Sequence, residues 1–141
     1  MRLAAWACSL LVTILTACAP AGLPPSARPV NGTEMLALLR GNTSEGPNNL
    51  GSMLRIYVAE DLSARLAIAP AAGLPLRFDG RVWADGDRLC WAWPRAGVRV
   101  GLCYHLHVEG DRFWAVADRH QYGGLTFPNT FRILPGNPYN I

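Results

Sequence analysis

His105 and His107 stand two positions apart in a stretch, 100–108, where apolar and polar residues alternate. Residues two apart on a strand point to one face, and that face would also carry Cys103, so the pattern can present two imidazoles to a metal ion. A site needs a third ligand, and Glu109, Asp118 and His120 have the right chemistry if the fold gathers them. The alternative buries Tyr104, Leu106 and Val108 and leaves the histidines in solvent. Trp83, Trp91, Trp93 and Trp114 form a second set, with Leu89, Trp91 and Trp93 sharing one strand face. Such large rings either close a small core or line a cup for an apolar ligand or a glycan. Arg77, Arg81, Arg88, Arg95, Arg99 and Arg112 interleave with them. Guanidinium groups suit phosphate recognition, but on solvated strands they also pair with acids across turns, here Asp85, Asp87, Glu109 and Asp111.

Signals for catalysis are absent. Ser44, Ser52 and Ser63 lie in loop or turn contexts without a Gly-x-Ser-x-Gly elbow, and the chain has no Lys to act as a base. It has no phosphate-binding loop and no dinucleotide fingerprint, so no catalytic residue and no cofactor is assigned. The 13 basic residues are all Arg, set against 10 acidic ones, and a net charge of +3 is too small to imply a nucleic-acid binder.

The N-terminus carries an address. Arg2 precedes an apolar run over residues 3–15, too short for the roughly 20 residues of a transmembrane helix and shaped like a signal peptide. It ends in Leu15, Thr16, Ala17, Cys18, which resembles the lipobox of bacterial lipoproteins. That resemblance implies cleavage after residue 17 and diacylation of Cys18, with a permanent membrane tether, since two acyl chains hold where one is marginal. Ala19, in place of Asp, implies an outer-membrane lipoprotein facing the periplasm. Of the four Cys, Cys8 leaves with the signal and Cys18 takes lipid. Cys90 and Cys103 remain, and outside the cytosol they are expected to form a disulfide across a hairpin turning at 94–99. A redox pair or metal thiolates are the alternatives, without a Cys-x-x-Cys to support them.

These residues need elements to position them. The 141 residues, 50% hydrophobic, suit one folded unit. Residues 1–17 read as signal peptide, 18–32 as the lipidated Cys with a Pro-rich flexible linker, and 33–141 as a single β domain. Thr33 offers an N-cap to a two-turn helix closed by Arg40 and Gly41, and 42–52 reads as loop. Strands follow at 54–58 and 65–68, a short one at 76–78, a turn at Asp79-Gly80, then 81–84 and 87–93 around Asp85-Gly86, a dipeptide favouring a type I′ turn. Further strands at 100–108, 112–117 and 125–134 complete the pattern. Seven or eight short strands joined by tight turns describe a mainly β, antiparallel meander closing into a small lipocalin-like barrel, or folding into a sandwich, with one short N-terminal helix.

The order of motifs adds to this. A helix ending Leu38-Leu39-Arg40-Gly41-Asn42-Thr43, a strand with Tyr57, Gly80-Arg81-Val82-Trp83, Leu89-Cys90-Trp91, and Cys103-Tyr104 followed by Glu109-Gly110-Asp111 resemble a family of small secreted bacterial proteins classed only as a domain of unknown function. The resemblance covers residues 35–134 and implies fold and export, with no activity to carry over. The expectation is a lipid-anchored envelope protein that binds rather than transforms, meeting an envelope protein or a small apolar or glycan ligand. The alternative is a metal-binding or hydrolytic site around His105 and His107.

Overall fold

The computed structural model describes residues 23–48, 51–94, 98–117 and 130–141, with the backbone alone at 98–100. The signal segment, Cys18, Asp118 and His120 lie outside the described residues. In chain order the elements are β1 (Arg28–Val30), α1 (Gly32–Leu39), β2 (Thr43–Pro47), β3 (Met53–Val58), β4 (Ser63–Ala69), β5 (Leu76–Asp85), β6 (Arg88–Trp93), β7 (Val98–Glu109), β8 (Arg112–Ala117) and β9 (Thr130–Leu134). Each strand from β2 to β9 pairs antiparallel with the next, and β9 returns to β2, closing a barrel of eight strands. The closed lipocalin-like barrel, rather than the sandwich, is the architecture.

Closure leaves a segment of β7, the longest strand, open on one side. Its first half pairs with β6 and its second half with β8. Beyond the end of β6, the side left bare is taken by β1, with Arg28 opposite Val108 and Val30 opposite Leu106. Residues 28–30, read from their prolines as linker, therefore belong to the folded unit. Pro29 is tolerated because β1 is an edge strand, where a missing N–H costs nothing.

The helix starts earlier than Thr33 suggests. Asn31 is the N-cap, its Oδ1 accepting the Glu34 N–H at 2.8 Å. Met35 and Leu39, four apart on one face, are fully buried, and α1 packs on β5, β6 and β7. Its start lies against Arg88 and Ala84, and its end is fixed where the Gly41 N–H donates to Val58 O at 2.8 Å. Thus α1 lies across the end of the barrel that holds the β3–β4, β5–β6 and β7–β8 turns. The opposite end, the loop end, holds the β2–β3, β4–β5 and β6–β7 connections.

Alternation assigns the two faces of the wall. Leu54, Leu66, Val82, Leu89, Trp91, Trp93, Tyr104, Leu106 and Phe113 point inward and form the core with Val30, Met35 and Leu39. The hairpin at Asp85-Gly86 is present, with Asp85 directly opposite Arg88 and a two-residue loop of Gly86 and Asp87. Only Gly86 has positive φ, +62°, so the turn is of the II′ kind, not I′. The Asp79-Gly80 turn is not formed, because β5 runs through it. A Cβ on Gly80 would come within 2.3 Å of both Ala92 O and the Trp93 ring, so the glycine marks a close approach inside a strand. Gly80→Ala is expected to cost about 1–3 kcal/mol, since the carbonyl cannot retreat without breaking the β5–β6 ladder. Urea unfolding checks this, and an unchanged midpoint would refute the packing argument.

The segment 42–52, read as loop, contains β2. Its sequence, Thr-Ser-Glu-Gly-Pro, has no apolar alternation, and tertiary contacts make the strand. Gly46 admits the backbone of Thr130 and Phe131, where a Cβ would meet Thr130 O at 2.1 Å. Glu45 finds its partners on both neighbouring strands.

Candidate functional site

The barrel encloses an apolar cavity of about 50 Å³ on the side of the core nearer the loop end. Trp91 and Trp93 on β6 stack with ring centroids 5.8 Å apart and planes 12° from parallel. Counted round the ring, β2 stands four strands from β6 in either direction. It presents Ser44 and Gly46 across from the two indoles, and Ala115 on β8 is another small lining residue. Large side chains on one wall and small ones on the other leave the space unfilled. Leu54, Ile56, Leu89, Leu102, Leu106 and Phe131 supply most of the rest. Among the described residues the lining holds no charged group, and hydroxyls only at Ser44 and Tyr104. At the same end of the barrel Leu74 and Leu76 are exposed, Leu74 at 87%.

The four tryptophans of the cup reading therefore divide. Trp91 and Trp93 line the cavity. Trp83 points outward, half-buried, over the backbone of Gly101, with the Arg81 guanidinium 5.7 Å from its ring centroid. Trp114 is also on the outer face, opposite His107 and buried. Strand parity is the reason, since Val82 and Phe113 take the inward positions beside them. Cys90 and Cys103 are directly opposite on β6 and β7 and form the disulfide, in register with Trp83 on the outer face.

His105 and His107 share the outer face with Cys103 and open into one groove of about 350 Å³, bordered by β1, the start of α1 and Asp87. The His105 Nδ1 lies 3.2 Å from the Asp87 carboxylate. The His107 Nδ1 is buried and has no hydrogen-bond partner among the described residues. Glu34 borders the groove but pairs with Arg28 at 3.1 Å. Among the described residues the metal-type side chains that converge within 4.8 Å are Asp85, Cys90 and Cys103, whose sulfurs are already joined to each other. The groove thus gathers both histidines with Asp87 and Glu34, but among the described residues no three of these ligand atoms come within 4.8 Å of one another. Tyr104, Leu106 and Val108 are buried, as their alternation requires.

One polar cluster is not foreshadowed by any motif. Glu45, on the outer face of β2 and 8% exposed, receives Arg55 Nε at 2.9 Å, Arg132 Nη2 at 2.8 Å and the Tyr139 hydroxyl. Arg55 also lies over the Tyr139 ring, 3.9 Å from its centroid. Burial pushes the Glu45 carboxyl up, but the hydrogen bonds from Tyr139, Arg55 and Arg132 outweigh it and hold the pKa down at about 2. The same bond raises the Tyr139 hydroxyl, because ionising it would set two anions together. Thr43 donates to Gly136 O at 2.7 Å and Arg65 to Ile141 O at 3.2 Å, so residues 136–141 are fastened over β2, β3 and β4. This cluster holds the tail to the barrel. Among the interleaved arginines, Arg88 pairs with Asp85 at 2.5 Å, as expected of a turn.

No family model matches the chain, and no curated protein and no solved structure matches it. The likeness to the family of unknown function rests on the short motifs themselves.

Proposed function

We propose that this chain is a lipid-tethered binding module of the cell envelope, anchored through Cys18 in the outer membrane, facing the periplasm, and without enzymatic chemistry. The observation that carries the reading is the polarity of the barrel. The N-terminal segment joins at the helix-covered end, where the Ser26 hydroxyl meets Glu109. The apolar cavity and the exposed Leu74 and Leu76 lie toward the other end. A protein held at one pole and apolar at the other is arranged to present a contact surface away from its anchor. The disulfide between Cys90 and Cys103 fits an oxidising compartment. A hydrolytic reading through Ser44 would need its hydroxyl beside an imidazole. Ser44 points into the barrel and the two histidines point out of it, on opposite faces of the wall.

Cys18→Ala is expected to move the protein from the membrane fraction to the soluble one. The tethered form is expected to retain a stoichiometric envelope partner or ligand, and Leu74→Asp with Leu76→Asp to lose it. Membrane association that survives the Cys18 change refutes the anchor. Capture unaffected by the rim changes, or retained metal with turnover, refutes the binding site.

A further inference from the structure

We propose that the cavity takes the tip of one unbranched hydrocarbon chain; this rests on the binding-module reading and names its ligand. Lining chemistry excludes the other small ligands. A glycan buries several hydroxyls, and each one left without a hydrogen bond is costly where the walls are Leu54, Ile56, Leu102 and Phe131. Charged groups meet the same objection, so a carboxylate or lipid headgroup stays outside, near Leu74 and Leu76.

Size then separates chains from rings. An engineered apolar cavity that admits benzene measures about 150 Å³, whereas a single water-sized sphere needs roughly 10–15 Å³. The space of about 50 Å³ holds a few such spheres, room for the end of a methylene chain and too small for a ring. The stacked rings of Trp91 and Trp93 supply an aromatic wall to that space.

The test uses the purified full chain and straight-chain carboxylates of increasing length, each below its micelle concentration, read by tryptophan fluorescence. Affinity is expected to rise about fourfold per methylene over the first few carbons that enter, then to gain less once the cavity is full. Cyclohexanecarboxylate and glucose are expected to give no saturable response. Ala115→Leu, which fills the space, is expected to weaken chain binding at least tenfold with the thermal midpoint kept or raised. Ala115→Val repeats the test at smaller volume should leucine unfold the barrel. Binding of the free carboxylate alone assigns a soluble chain, and uptake from phosphatidylglycerol vesicles assigns a membrane lipid; either supports the proposal. Affinity independent of chain length, equal binding of the ring, or unchanged affinity in a folded Ala115 variant overturns it. A glucose response or a captured protein, without chain binding, overturns the ligand class and leaves the binding module standing. Silence from every probe, with nothing retained from envelope extract, removes both.

Discussion

Cys90→Ala with Cys103→Ala is expected to lower stability by about 3 kcal/mol, the entropy that a closed loop of this length removes from the unfolded chain. The two positions are 13 apart in sequence and paired in the ladder between β6 and β7. For a domain of this size that is a fall in the thermal midpoint on the order of 10 °C. Addition of a reductant is expected to move the parent protein to the same midpoint and to leave the double variant where it is. The effect is concentrated here because the β6–β7 connection follows an irregular register between Trp91 and Trp93, so the bridge pins the strand pair that carries one wall of the cavity. If the reduced protein melts with the oxidised one, the bridge is incidental to the barrel.

The second large effect concerns acid. The Glu45 carboxyl is held at about 2 in the folded chain, against an ordinary value of 4.5. A depressed carboxylate stabilises the fold above its unfolded pKa, and the contribution is lost as pH falls from about 4.5 to about 2. The difference corresponds to about 3 kcal/mol at neutral pH. Glu45→Gln keeps the shape, removes the charge and leaves Arg55 and Arg132 without their shared anion. Its unfolding free energy is expected to lie about 3 kcal/mol below the parent at pH 7, and the two curves to converge near pH 2. Denaturant titrations across that range measure it, and a gap that stays constant with pH shows that packing, not charge, accounts for the loss. Release of residues 136–141 is expected first, since Tyr139 loses its charged acceptor.

What was legible in the sequence was local. Asp85-Gly86 announced a hairpin, the alternation of Leu89, Trp91 and Trp93 assigned an inward face, and the pair Cys90 and Cys103 followed from the cysteine count and the hairpin expected at 94–99. Positions whose conformation depends on distant neighbours were not legible. Thr43 to Pro47 became a strand because Gly46 lets β9 approach and because Arg55 and Arg132 reach Glu45 from either side. Asp79 and Gly80 stayed in a strand because the Trp93 ring lies on the glycine. Within the candidate site, Trp91 and Trp93 were identifiable, whereas the space beside them was not. It exists because β2 and β8 contribute small residues, and which strands face β6 is settled only by the closure of the ring.

The first strand gives the fold a mechanical property. Its three residues run beside positions 106–108 of β7, and the chain ahead of them departs past the β7–β8 turn. Tension on that lead acts along the strand, so the three pairs bear load together in shear instead of peeling apart in turn. Val30, sunk in the core, is the bolt that would have to be drawn before a pull on the lead reached the barrel.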